Sequence, residues 1–473
     1  MGHALRSTAT GFANFLRDHA RWLRRLQWII VAFYLFLLIV PALLPLPDRS
    51  ASVFNNLTIF AQFAFWGVWW PFVLLSMPLL GRAWCGWFCP EGMLSEWASE
   101  HGQGRAIPKW MRWGGWPFVA FALTTIYGQL VSVYQYPLAV LAVLGGSTAA
   151  AMVVGWRYGR NKRVWCKYLC PVNGVFQLLA KLAPWHYKVS EAAWRHPERR
   201  TEAINCAPLV PLRHMKGAAD CHMCGRCSDY RGAIQLTPRS PETEVVHVET
   251  GDHWQTALIV FGLMGLAVGA FLWSASPWFV TLKQAQATWL VEHDIYWPLA
   301  QNAPWFILTH YPDANDTFSW LDAEVILVFI FGAALFVGGA VYLGLWLASR
   351  CLTGAPPASA APVVRDASGA PLQVRVGLDR LAQALIPAAG VGVFLGLSAT
   401  TLTLLQHEGM STSWALGVRF TFLGLALAWS VRLLWRVSGT GGCGVVRRLS
   451  AVGLASLGVV PFCLAWVLFF AVW

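Results

Sequence analysis

The chain has 473 residues, 56% of them hydrophobic and only 12% charged, with a formal net charge of +12. A soluble domain carries about a quarter charged residues, so the composition excludes an ordinary soluble enzyme and points to an integral membrane protein. The basic excess reads as a topology signal that also attracts anionic membrane lipid, and nucleic acid is not expected as a partner.

A short N-terminal segment, 1–26, brings Arg21, Arg24 and Arg25 up to the first apolar run. Crossing a bilayer takes about 20 apolar residues, and runs of that length predict about nine transmembrane helices. They fall at 27–46, 57–80, 116–135, 137–156, 254–275, 323–347, 380–404, 414–435 and 449–472. The first has no small-residue cleavage site after it and reads as a retained anchor.

The chain then divides into a four-span core (27–156), a hydrophilic loop (157–253), and two spans (254–347) that flank a Trp-rich loop (276–322). An Ala/Pro/Gly linker (348–379), read as disordered, leads to three terminal spans (380–473). Trp278, Trp289, Trp297, Trp305 and Trp320, with several acids, suit a folded cap in an interfacial belt. Of the 35 Lys and Arg, all but Arg49, Lys283 and Arg419 fall on the N-terminus or on every second loop. The positive-inside rule then places the N-terminus and the 157–253 loop in the cytoplasm and the C-terminus in the periplasm of a bacterial inner membrane. The expected fold class is an all-α integral membrane protein with a small ferredoxin-like iron–sulfur loop on the cytoplasmic side.

Eleven cysteines punctuate this plan. Eight of them, Cys85, Cys89, Cys166, Cys170, Cys206, Cys221, Cys224 and Cys227, fall on the reducing side, which favours metal or redox chemistry over disulfides. The run from Cys221 through Cys224 to Cys227 is C-x2-C-x2-C, the first three-quarters of the bacterial ferredoxin pattern. The usual fourth Cys and its Pro are replaced by Arg231 and Gly232. Cys206 is the nearest candidate to complete a cubane, with a three-iron cluster or a non-Cys ligand as the alternatives. The surrounding loop shows little periodicity, and a metal cluster rather than a hydrophobic core is expected to hold it.

A second signal is a doubled phrase: "RAWCGWFCPEG" at 82–92 and "RVWCKYLCPVNG" at 163–174, each following an apolar run. Spans three and four lie between the copies, so both emerge on one face and offer Cys85, Cys89, Cys166 and Cys170 together. Pro90 and Pro171 are each expected to open a helix whose free amides face the preceding Cys. Cubane ligation is the first reading. Copper-handling or redox-active thiols are the second, since soft thiolates also suit Cu(I). The third is a structural phrase anchored by Trp84 and Trp165. Arg82 and Arg163 either offset a cluster's negative charge or mark ordinary cytoplasmic span ends.

Cys351, Cys443 and Cys463 read as small buried residues, and Arg419 as a snorkelling side chain. His293, His310 and His407 fall on the outer side, where they are candidates for quinone, copper or haem. The spans read as free of buried charge, which argues against a transporter.

The two C-x3-C-P phrases followed by "CHMCGRC" resemble the membrane-bound polyferredoxin family over roughly residues 25–275. The chain departs from familiar members in its single incomplete ferredoxin run, its Trp-rich outer loop and its further spans. It also lacks an obvious flavin-binding domain before the first span. The resemblance implies an electron-transfer component rather than a stand-alone enzyme, holding one or two [4Fe-4S] clusters. Their ligands would be Cys206, Cys221, Cys224 and Cys227, and Cys85, Cys89, Cys166 and Cys170. It implies a quinol or other membrane donor, with quinone as a further cofactor, and a membrane-associated or periplasmic redox partner protein. The alternative is a copper-reducing or assembly factor for a metalloenzyme.

Overall fold

A computed structural model describes residues 2–48, 50–197, 201–248, 251–353 and 376–473, with the short stretches 364–365 and 371–372. Among them, eight helices are long and apolar enough to cross a membrane. An N-terminal helix α1 (Gly2–Asp18) precedes the first of these. The eight are α2 (Ala20–Leu43), α3 (Leu57–Leu80), α7 (Pro137–Tyr158), α10 (His253–Ala275), α12 (Trp320–Leu352), α13 (Leu378–His407), α14 (Ala415–Gly439) and α15 (Val445–Val472). Their boundaries follow local chemistry. Asn56 caps α3 by accepting from the Thr58 and Ile59 amides at 2.9 and 3.2 Å, and Pro137 opens α7 at a position where its missing N–H costs nothing.

The run 116–135, expected as a ninth span, is instead the 15-residue helix α6 (Trp116–Leu130). The chain breaks where Ser132 takes a φ of 51° and the Val133 amide turns back to the Gly128 carbonyl at 2.9 Å. Fifteen residues of helix reach about 22 Å, short of a hydrocarbon core of about 30 Å. Yet α3 ends at one copy of the cysteine phrase and α7 at the other, and the two copies lie together. The passage back between them therefore belongs to α6 and the turns of 131–136.

The chain divides into two compact units. The first comprises Met1–Leu43, Trp70–Ala120 and Leu144–Val248, and the second Leu44–Trp69, Phe121–Val143 and Glu249–Trp473.

In the first unit, α3 is followed by the short helices α4 (Ala83–Trp87) and α5 (Pro90–Glu100). After α7 come α8 (Val164–Tyr168) and α9 (Asn173–Ala180). Strand β1 (Trp185–Val189) pairs antiparallel with β2 (Ile234–Pro238), in a register that sets Tyr187 opposite Leu236. The expectation of a loop without a hydrophobic core is corrected here. Ala9 and Ala13 of α1, Tyr187, Met223, Ile234, Leu236, Cys221 and Cys227 form one buried cluster. That core was hidden because its members come from segments some 200 residues apart, which local periodicity does not register. Gly225 is required where α1 arrives: its φ is +79°, and a Cβ there would lie 2.7 Å from the Leu16 Cβ.

In the second unit, small residues bring helices into backbone contact, the usual driving force inside a bilayer. A Cβ on Gly344 of α12 would lie 2.8 Å from the Gly458 Cα of α15, and one on Gly265 of α10 would lie 2.8 Å from the Ala334 Cα of α12. The Trp-rich loop folds as α11 (Pro277–Glu292) and a two-residue ribbon, β3 (His310–Tyr311) with β4 (Asp316–Thr317). Trp278, Trp289 and Trp297 are exposed. The Tyr136 ring stacks on Tyr311 at 3.6 Å, and its hydroxyl donates to Asp316 at 2.6 Å.

The spans are not free of buried charge. Arg380 at the start of α13 is buried and donates to Thr440 at 3.0 Å, and Asp322 in the first turn of α12 accepts from the Ser319 hydroxyl at 2.7 Å. Both sit at helix ends, where such partners are within reach. Arg419 does not simply extend to the surface: its guanidinium lies 4.2 Å over the Phe470 ring. The linker expectation at 348–379 falls largely outside the described residues.

Candidate metal centre

The doubled phrase folds twice in the same way. After α3, the Phe88 and Cys89 amides both donate to the Trp84 carbonyl, each at 2.9 Å. After α7, the Leu169 and Cys170 amides donate to the Trp165 carbonyl at 2.9 and 3.0 Å. One short helix and a tight turn thus present two thiols each time. Beyond the second Cys the copies part. Cys89 caps α5 with Pro90 in its first turn, and its Sγ accepts from the Gly92 amide at 3.4 Å, as expected. Pro171 does not open a helix, because α9 begins two residues later at Asn173. The Asn173 side chain accepts from Arg82 at 2.8 Å and donates to the Lys167 carbonyl at 3.2 Å, which pins the start of α9 there.

These folds bring Cys85, Cys89, Cys166 and Cys170 together, every pair of the four being electrostatic neighbours. Burial, then the neighbouring thiols and Glu91, pushes Cys89 and Cys170 well above the ordinary thiol range. Burial raises Cys166 to about 12 despite the nearby Arg163. Cys206, Cys221, Cys224 and Cys227 form a second set in which every pair is again neighbouring. Burial raises Cys221 to about 12 and lifts Cys206 and Cys227 as well. The Met223 amide donates to Cys221 Sγ at 3.4 Å. Where a fourth ferredoxin Cys would stand, Arg231 has a φ of 58° and lies 5.5 Å from the Trp194 ring.

Both sets fit an iron–sulfur cluster by their chemistry. All eight thiols are free of disulfides, and the burial that raises Cys89, Cys166, Cys170, Cys206, Cys221 and Cys227 favours the protonated thiol unless a metal takes the proton's place. Polar groups also wait beside the second set. The Tyr187 hydroxyl, 1% exposed and next to Cys221, Cys227 and Cys224, has no hydrogen-bond partner among the described residues, nor has His222 Nδ1. Among the described residues, no three His, Cys, Asp or Glu converge on a single-ion position. A cubane's ligands stand farther apart, one at each corner.

Around the thiols lies a buried charge network that sequence reading largely missed. Arg82 and Arg163 are each only 2% exposed, unlike ordinary span-end arginines. They cross over: Arg82 of the first copy reaches Asn173 beside the second, while Arg163 of the second copy donates to the Cys85 carbonyl. Arg163 Nε also pairs with Glu96 at 2.7 Å, and Glu96 pairs with Arg226 of the 221–227 run at 2.6 Å. Glu96 carries no motif of its own, and only its place on the inward face of α5 marks it. Burial and then the surrounding arginines push His222 well below the ordinary imidazole range.

The two arginines outweigh burial and hold the Glu96 carboxylate down at about 2. A depressed carboxylate stabilises the fold fully above its unfolded value of about 4.3, and that contribution is lost as pH falls toward the folded value. Acid unfolding of the wild type should therefore steepen between pH of about 4.3 and about 2. Glu96→Gln should lack that component, and equal acid profiles by circular dichroism would overturn it.

Of the remaining candidates, His293 stacks on Trp289 at 4.2 Å and bonds its carbonyl, His310 lies on β3, and His407 ends α13. Cys443 bonds the Leu352 carbonyl at 3.4 Å.

The family described as "4Fe-4S binding domain" matches residues 62–108 and 138–190. Each stretch contains one copy of the C-x3-C-P phrase. A curated protein of Escherichia coli (strain K12), named "Putative electron transport protein YccM", is 22% identical over 227 residues, which is 42% of this chain. The chain spans 62% of that protein's length. No solved structure matches the chain.

Proposed function

From eight helices long and apolar enough to cross a membrane and two stretches that match the 4Fe-4S binding domain family, we propose that this chain moves electrons between a membrane donor, a quinol, and a redox partner protein. In this reading Cys85, Cys89, Cys166 and Cys170 hold one cluster, and Cys206, Cys221, Cys224 and Cys227 hold a second. The observation that carries it is the grouping of eight free cysteines into two complete fours, each mutually neighbouring. The name of the Escherichia coli relative supports electron transport as the role.

A bound [4Fe-4S] cluster supplies one-electron redox chemistry. The chain's own residues do the rest. The thiolates ligate, and the Gly92 and Met223 amides bond Cys89 and Cys221 sulfurs. Arg82 and Arg163 offset negative charge in a buried site, and hydrogen bonds, charge and burial together set the potential. The first set stands at the ends of α3 and α7, within reach of a lipid-soluble donor. In this reading both sets lie on the cytoplasmic face of a bacterial inner membrane, which the basic loops support through the positive-inside rule.

Anaerobic purification with iron and acid-labile sulfide analysis tests this. About eight of each per chain are expected for two [4Fe-4S] clusters, and fewer than about three irons would overturn the iron–sulfur reading. A reduced quinone analogue should then produce the same paramagnetic signal as a chemical reductant. Its failure to do so would remove quinol as donor.

A further inference from the structure

Gly86 sits between Cys85 and Cys89 in the helix α4, and its backbone does not take a positive φ. Glycine is a poor helix former, so conformation does not explain it. Its surroundings do. A Cβ placed on Gly86 would overlap the carbonyl oxygen of His222 and lie 3.2 Å from both N and Cα of Cys224. The neighbouring Trp87 donates from Nε1 to the Met223 carbonyl at 3.0 Å. From the other side, the buried Gln27 donates to the Gly86 carbonyl at 2.7 Å. The residue beside Cys85 of one thiol set thus packs against the His222–Cys224 backbone of the other so closely that no side chain fits between them.

We propose that Gly86 is a positioning residue that joins the two clusters into one electron-exchanging pair, with the Gly86–Cys224 backbone contact as the crossing point. The inference rests on the two-cluster reading above. One centre is oxidised by one electron as the other is reduced by one; no bond is made or broken, and no proton moves. Electron tunnelling falls steeply with separation, so the close approach of the two cysteine segments at Gly86 favours exchange between them. Any side chain at 86 would have to push the 221–227 run away.

The test is electron paramagnetic resonance of the fully reduced, full-length protein, with iron measured on the same samples. Cys89→Ala and Cys221→Ala provide the single-cluster reference spectra. The wild type should show a broadened or split signal that the sum of the references does not reproduce. Gly86→Ala should keep the wild-type iron content while its spectrum collapses toward that sum. Should Gly86→Ala fail to assemble, the wild-type comparison still decides. A wild-type spectrum equal to the sum, at full iron content, overturns the inference and leaves the two-cluster reading intact. Half the iron in the wild type overturns both. Gly86→Ala with full iron and an unchanged interaction overturns the role of Gly86.

Discussion

Cys89→Ala and Cys170→Ala should each cut iron from about eight atoms per chain to about four, and Cys221→Ala should do the same by emptying the other set. The reasoning is geometric. Each set offers four mutually neighbouring thiols, enough ligands for one cluster without the other set. The double variant Cys89→Ala/Cys221→Ala should therefore hold almost no iron. Cys206→Ala is the most informative single change. Cys206 neighbours Cys224, Cys221 and Cys227, and its carbonyl is held by Lys162 at 3.1 Å. It should thus behave as Cys221→Ala does. Full iron retention in Cys206→Ala would mean that another group closes the second cluster. Loss of all iron from Cys89→Ala would mean that the sets do not assemble independently.

Arg163→Ala should destabilise the protein by about 3–5 kcal/mol, the range for breaking a buried ion pair by removing one partner. Arg163 and Glu96 are nearly closed to solvent, with side chains 3% and 9% exposed. The substitution leaves Glu96 only Arg226 and strips the Cys85 carbonyl of its donor. Arg163→Lys should recover only part of the loss, because an ammonium cannot serve both acceptors with the planar fork of a guanidinium. In the double variant Arg163→Ala/Glu96→Gln the cost should fall, because the stranded charge is gone. Denaturant unfolding in detergent reads all three. A loss below about 1 kcal/mol for Arg163→Ala would place the pair with weak surface bridges instead.

Much of this was legible in the sequence. Seven of the eight spans lie within about five residues of their expected bounds and the first begins seven residues early, at Ala20, because a run of about 20 apolar residues leaves little room for error. Cys206 could be nominated because it was the nearest thiol to an incomplete pattern, and the fold does bring it beside the other three. What failed to show was non-local. The break after α6 depends on a backbone turn at Ser132, while composition alone extended that span to 135. The core beneath the cysteine loop draws on α1, β1 and β2, and no window of sequence contains all three. Pro171 matched Pro90 in the written phrase, but Arg82, ninety residues away, captured Asn173 and moved the helix start. The family match covers the doubled phrase rather than the 221–227 run that looks more like a ferredoxin, so the less familiar motif carried the stronger family signal.

The seat of α1 has a consequence for biosynthesis. Its partner surface, Gly225 against Leu16 with Ser228 bonded to Asn14 at 2.8 Å, leaves the ribosome some 200 residues after the helix itself. The helix is thus made well before the surface that receives it. Until then the 221–227 thiols lack one wall of their enclosure. Completing that wall therefore waits on two segments made far apart in time.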